Sequence, residues 1–319
     1  MVWSVVNLLI LLIVVMVEEI IGERQWWSTL LTYMPQQPLL VPSALLLLIA
    51  MVRRHWKGLL WNIPAIVLCA VLLGVNLPLN SAPESGNSVR VITWNAHHLV
   101  DGLDRIVTTL VQKQPDIVCL QEVRELPDAT RSPVLRQAFP GWSMARGGEV
   151  AVLSRFPILR TKVYPISAER VVLEALIDID GHPLTVIAIH YVTTMTHGSL
   201  EQRSGSRQSY LRHTVTARSK QNRTVLAIAA CAGSPVLIAG DFNTPPRGII
   251  YRQLTQHYVD AFSAAGFGTG YTYPARFPIM QIDHLFVSNT IGIRCCTPIT
   301  ATASDHLPVM ADLCINGHR

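Results

Sequence analysis

Six apolar runs in this chain end on, or lead into, groups able to bind a cation, move a proton or hold an anion. VRVITWN closes on Asn95, DIVCLQE on Glu122, LTVIAIH on His190, and PVLIAGDFN on Asp241 and Asn243; IDHLFVS carries Asp283, and SDHLPV carries Asp305 and His306. One such site alone is usually structural, because a buried polar side chain must be paired or hydrogen-bonded. Six of one chemical kind are hard to explain as separate accidents. Carboxylate oxygens with an amide as neutral helper suit a hard cation such as Mg²⁺, with Mn²⁺ as the alternative. The Cys and multiple-His spacing of a zinc site is absent. Two imidazoles beside such a cation can donate to phosphate oxygens or to a leaving group, each needing an acid partner to fix its tautomer. Together these are the parts of metal-assisted phosphoester hydrolysis: a metal to neutralise charge, a carboxylate to orient or deprotonate water, and an imidazolium facing the pentavalent transition state.

The elements that must hold these groups are legible too. VLIAG, before Asp241, is a continuous apolar run, the pattern of a strand covered on both faces. Asp241 and Asn243 fall just past its C-terminal end, where open α/β sheets collect ligands. Pro245 and Pro246 then prevent the chain from continuing as strand or helix. Asp283 and His284 are neighbours on an expected strand, so their side chains point to opposite faces. If Asp283 faces the site, His284 does not. Apolar strands alternate with amphipathic segments from residue 89 to the end, which reads as one α/β domain.

In order, WNAHHL, LQEV, IHY, GDFN, TYP with IDHLFVS, and SDHLP resemble the motifs of the endonuclease/exonuclease/phosphatase superfamily, which includes deoxyribonuclease I, abasic-site endonucleases, neutral sphingomyelinases and inositol polyphosphate 5-phosphatases. The likeness covers residues 89 to 315 and omits everything before them. It implies a two-sheet α/β sandwich of the deoxyribonuclease I type, with helices outside and a site in the cleft between the edges of the sheets. It also implies roles. Glu122 resembles the principal metal ligand, with Asn95 and Asp305 close to the metal; Asp241 resembles the residue that orients or activates water, and Asn243 a holder of the scissile phosphate. His306 would contact that phosphate, oriented by Asp283. His190 resembles the second histidine of the deoxyribonuclease I and sphingomyelinase branches, a phosphate ligand or general acid, whose acid partner falls at Glu149 in GGEVAVLSRFP. One departure concerns His97, where abasic-site endonucleases carry an acid two residues after the motif asparagine. That argues against this branch and leaves His97 and His98 either lining the cleft or forming a surface turn.

The 319 residues are 50% hydrophobic and only 15% charged, with a mean hydropathy of +0.32, too apolar for an ordinary soluble domain. The excess is concentrated in residues 1–17, 33–52 and 58–79, each near the length of about 20 residues that crosses a bilayer. The expectation is a membrane anchor over residues 1–79 with about three transmembrane helices, a polar linker at 80–88 and a catalytic domain at 89–319. The first segment lacks the positive n-region and cleavage pattern of a signal peptide. Pro35, Pro38 and Pro42 shorten the second, leaving a re-entrant or interfacial segment as its alternative. RRHWK (Arg53 to Lys57) reads as cytoplasmic by the positive-inside rule, which places the catalytic domain outside the cytoplasm. Trp26, Trp27, Trp56 and Trp61 flank the spans as interfacial aromatics would.

A formal charge of +5 suits an anionic partner, whether membrane surface or nucleic acid. The densest basic stretch, Arg203 to Arg223, reads first as a loop and the solvated face of a helix, with nothing like a base-reading element. The substrate classes in play are a lipid head group, a small phosphodiester or a nucleic acid. The loops GSLEQRSGSRQS and GFGTGYTYPARFP shape that choice, and the segment 81–319 is expected to act when freed from the helices. A membrane-anchored nuclease is the nearest alternative; an inactive membrane-anchored scaffold is the alternative of another class. Cys69 and Cys119 read as small hydrophobes, while a bridge from Cys295 or Cys296 to Cys314 is left open.

Overall fold

Two six-stranded sheets pack face to face, and each is built around one parallel pair. The computed structural model describes residues 1–78, 87–128, 132–167, 170–193 and 207–315. All but the last two residues of the expected linker, and most of the loop GSLEQRSGSRQS, lie outside these. In the first sheet β1 (Asn87–Asn95) runs parallel to β2 (Ile117–Gln121). They are flanked by β3 (Ser143–Gly147), β4 (Val150–Ser154), β11 (Ile291–Pro298) and β12 (Val309–Ile315), in the order β11-β12-β1-β2-β4-β3. In the second, β7 (His182–His190) runs parallel to β8 (Val236–Asp241). Around that pair lie β5 (Ile158–Pro165), β6 (Val171–Ile179), β9 (Val259–Asp260) and β10 (Asp283–Val287), in the order β5-β6-β7-β8-β10-β9. The expected two-sheet α/β sandwich is the fold observed.

Side-chain alternation builds three apolar layers from these strands. Val89 and Val91 of β1 face Val186, Ala188, Leu237 and Ala239 of the second sheet in the central core. Ile92 and Trp94 point the other way, onto Ile106, Val107 and Leu110 of helix α5 (Leu103–Lys113). On the opposite outer face Ile187, Ile189 and Ile238 meet Val225 and Ala229 of α7 (Arg207–Ala230). Both faces of β7 and β8 are thus covered, which is why their sequences read as unbroken apolar runs. Within the described residues the basic stretch lies on α7, with Arg212, Lys220 and Arg223 exposed on its solvated face; Arg218 is fully buried.

The N-terminal helices differ from three straight spans. Residues Val2–Arg24 form one helical run of 23 residues, with an 18-residue window of mean hydropathy 2.5, long and apolar enough to cross a membrane. The second segment is broken: α2 (Trp26–Tyr33) and the helical stretch Gln37–Val52 meet at 80°. Pro35 and Pro38 stand at the break, where the missing N–H and the restricted residue before each proline oppose a continuous helix. The third helix, α4 (Trp56–Leu72), has 17 residues. Leu9, Ile13, Leu45, Leu48, Leu60, Ile63 and Val67 of these helices are exposed. All six cysteines are free; Cys314 faces Gly292, while Cys295 and Cys296 face Asp312 and Ala311.

The helices rest on the sandwich through polar contacts. Arg247 Nε donates to the Thr32 carbonyl at 2.7 Å and Nη2 to that of Met34 at 3.0 Å. Glu23 Oε2 accepts the Ile249 N–H at 2.6 Å. Asn76 and Gly268 exchange both backbone hydrogen bonds, and Gln37 Nε2 donates to the Ile279 carbonyl at 2.8 Å.

Candidate active site

The parallel pairs deliver their C-terminal ends to one place. Asn95 lies level with Gln121 across β1 and β2, so Glu122 follows at the strand tip. His190 lies level with Asp241 across β7 and β8, and Asp241 in turn with Asp283 across β8 and β10. The two tips then meet between the sheets. Asn95 Nδ2 donates to Asp241 Oδ2 at 3.1 Å. His190 Nε2 stands 3.7 Å from Glu122 and 3.4 Å from Asp241. His306 Nε2 is 3.9 Å from Asp241, and its Nδ1 is 2.9 Å from Asp283 Oδ2. Asn243 Nδ2 donates to Asp241 Oδ2 at 3.2 Å.

Glu122, His190, Asp241, Asn243, Asp305 and His306 line a cleft of about 370 Å³. A larger groove of about 640 Å³, bordered by Arg160, Lys162, Lys220 and Arg223, shares no residue with it and holds none of the strand-end groups.

Local backbone conformation aims these side chains. Glu122 and Asn243 have φ of 57° and 48°. Asparagine tolerates this left-handed region, whereas for glutamate it is a strained position of the kind that clusters at functional sites. Trp94 Nε1 donates to the His306 carbonyl at 2.9 Å, and Ser304 Oγ donates to the Asn95 carbonyl at 2.7 Å. The motifs WN and SDH are therefore tied together behind the site. His284 points away, as strand alternation requires: its Nε2 meets the Thr244 carbonyl at 2.9 Å and its ring packs near Phe242, Tyr251 and Phe286.

Charge is arranged unevenly. Burial would raise the Glu122 carboxyl, but His190, the hydrogen bond with Asn95, and His98 together hold it below the ordinary range. Burial and then the adjacent Asp283 charge push Asp241 upward, against the pull of His306, His190 and the Asn243 N–H. Burial opposes charge on His306, yet Asp283 and Asp241 push it up to about 10. One site thus holds a carboxylate kept ionised, a second with raised proton affinity, and an imidazole that is charged at neutral pH.

A sequence model of the endonuclease/exonuclease/phosphatase family matches residues 92–306. The chain belongs to this family. Its members hydrolyse phosphoesters. Among solved structures, an endonuclease/exonuclease/phosphatase from Beutenbergia cavernae DSM 12333 is similar over 72% of each chain, at 21% identity and TM-score 0.54. A mannosyl-6-phosphatase from Bacteroides thetaiotaomicron VPI-5482 aligns over 70% of this chain and 99% of its own, at 17% identity and TM-score 0.56. The human Nocturnin catalytic domain, with a bound sulfate anion, aligns over 71% and 94%, at 18% identity and TM-score 0.54. No curated protein matches the chain by sequence.

The donor set of this family member fits a divalent cation. Asp241 and Asp283 bring carboxylate oxygens within 4.8 Å of one another, beside His306. Glu122 and Asp305 add hard oxygen donors in the same cleft. Buried Asp283 Oδ1 has no hydrogen-bond partner among the described residues. His98 Nε2 lies 3.2 Å from Glu122 and His97 Nδ1 3.8 Å from Asp305. Both histidines, in a turn of positive φ, therefore flank the carboxylates instead of adding a third.

Sequence reading missed Arg170. Its Nη1 pairs with Glu149 and lies 2.6 Å from His190 Nδ1, while Glu149 Oε1 is 3.6 Å from that nitrogen. His190 thus turns Nδ1 to Arg170 and Glu149, and Nε2 to Glu122 and Asp241 in the cleft. Arg170 sits in no motif beside a strand end, and only the approach of Glu149 to His190 could have suggested a partner.

The His306–Asp283 pair predicts a pH dependence of stability. Because the folded value is raised, the pair contributes in full below the ordinary imidazole value of 6.5 and loses that contribution as pH rises through about 10. In chelated protein, His306→Gln should lower Tm near neutrality and have little effect above that upper value, as read by thermal unfolding across pH.

Proposed function

We propose that the chain is a Mg²⁺-dependent phosphoesterase that hydrolyses a phosphodiester at the outer face of a membrane. The observation that carries this reading is the meeting of Glu122 and Asp241, each within 4 Å of His190, with Asn95 bonded to Asp241. Glu122, Asn95 and Asp305 would hold the ion, with Mn²⁺ able to substitute. When bound, it supplies charge neutralisation at the phosphate.

The protein groups do the rest. Asp241, its proton affinity raised, orients the attacking water and accepts its proton. Asn243 holds a phosphate oxygen through its side-chain amide. His306, charged and fixed by Asp283, faces the growing negative charge on phosphorus. His190 presents Nε2–H to a phosphate oxygen or to the leaving oxygen, held by Arg170 and Glu149.

A membrane-resident phosphodiester is supported by position. Exposed apolar side chains line the N-terminal helices, and Phe267 and Phe277, 77% and 74% exposed, lie beside Gly268, which bonds to Asn76 just after those helices, and Ile279, which bonds to Gln37 within them. Met280 and Tyr273, on the same loop, line the cleft. The test is a parallel assay of the full chain on duplex DNA, sphingomyelin, other phospholipids, phosphoinositides and an aryl phosphodiester, with Mg²⁺ and with chelator. Mg²⁺-dependent turnover highest on a lipid supports the reading; preference for DNA moves it to a nuclease. No turnover on any of them leaves a binding protein. Protease treatment of intact cells tests sidedness, since a protected catalytic domain excludes an outer face.

A further inference from the structure

We propose that the N-terminal helical segment is part of the active site, with Tyr33 and the buried Arg218 as positioning residues for Asn243. The inference rests on the phosphoesterase reading and adds two residues that no strand-end motif contains. Tyr33 closes α2, is 5% exposed, and lines the cleft beside Asp241 and Asn243. Its ring lies 4.3 Å from the Arg218 guanidinium. Its hydroxyl donates to Thr244 Oγ1 at 3.3 Å and lies 3.4 Å from Glu23 Oε1.

Arg218 is wholly buried and donates through Nη1 to the Asn243 carbonyl. Among the described residues its Nε and Nη2 have no hydrogen-bond partner. A desolvated guanidinium with so few acceptors depends on the aromatic face beneath it. The Asn243 N–H donates to Asp241 Oδ1 at 2.8 Å, and its Nδ2 donates to the Tyr191 carbonyl at 3.0 Å. Tyr33 therefore supports this residue from two sides, through Arg218 at its carbonyl and through Thr244 at the next position.

The contact that brings Tyr33 here is built for close approach. A Cβ on Gly248 would lie 2.5 Å from Glu23 Oε1, and one on Gly22 would lie 2.9 Å from Ile249 Cγ1; both glycines have positive φ. Glu23 occupies the space so left and accepts the Ile249 N–H. On this arrangement the segment 81–319, expected to act when freed from the helices, would do so with a lower kcat than the full chain. Removing the helices removes a wall of the cleft and the ring beneath Arg218.

The test is a double-mutant cycle on the full chain in detergent micelles, with Mg²⁺ and bis(p-nitrophenyl) phosphate as probe, reading kcat and KM separately. Tyr33→Ala should lower kcat by up to about 10²-fold, the scale of a displaced reacting group. Combined with Asn243→Ala, it should cost no more than about twofold beyond Asn243→Ala alone, because residues acting through one group are not additive. Multiplying losses, or unchanged kcat in Tyr33→Ala, overturns the proposal. If Tyr33→Ala does not fold by its thermal transition, Tyr33→Leu, which fills the space but removes both the aromatic face and the hydroxyl, replaces it in the same cycle under the same criteria. An inactive wild type removes the phosphoesterase reading and this inference with it, whereas an active wild type with multiplying losses removes this inference alone.

Discussion

Asp241→Asn is expected to lower turnover by about 10²- to 10⁴-fold, the range for a lost general acid-base group, while the protein keeps its thermal transition. Asparagine has nearly the same shape and can still accept the Asn243 N–H that Asp241 Oδ1 now accepts at 2.8 Å, losing only the bonds that Oδ2 accepts from the Asn95 and Asn243 side-chain amides. It cannot take a proton from water. The substitution therefore separates chemistry from packing better than alanine, which would leave a hole at a fully buried position. Turnover of a folded Asp241→Asn protein equal to wild type would remove Asp241 from the reaction. A fall in Tm comparable to that of a core truncation would instead assign it a structural role.

Chelation should abolish turnover, and added Mg²⁺ should restore it. Glu122→Gln should raise the Mg²⁺ concentration for half-maximal activity by at least about 10²-fold, beyond the loss seen when mere outer partners of a metal are changed. The direction follows from charge. His190, the Asn95 hydrogen bond and His98 keep the Glu122 carboxyl ionised despite burial, so the glutamine variant loses a full negative charge where a cation is to be held. The measurement is a Mg²⁺ titration of rate for both proteins, with calorimetric binding as a second readout. Turnover that persists in chelator would exclude the metal-dependent reading for this chain.

Much of this was legible in the residue order. The strand ends carrying Asn95, Glu122, His190 and Asp241 were visible because a strand buried on both faces leaves an apolar run that stops abruptly at a polar residue. His284 could be set aside because adjacent strand residues diverge. What stayed hidden depends on contacts distant in sequence. Arg170 meets His190 through the pairing of β6 with β7, and Glu149 through the packing of one sheet on the other, while Arg218 looked like one more cation in a basic helix. The 80° break before Gln37 was partly written in Pro35 and Pro38, but its result, the delivery of Tyr33 into the cleft, was not. Nothing local in the segment around Tyr33 encodes proximity to Thr244, 211 positions away.

Each sheet supplies only part of the reacting groups, so neither layer holds a complete reagent. A slip of one layer against the other could leave every interstrand bond within each layer intact and still part Glu122 from Asp241. Reactivity in this molecule is thus a property of alignment across the seam, lost before any single layer comes undone.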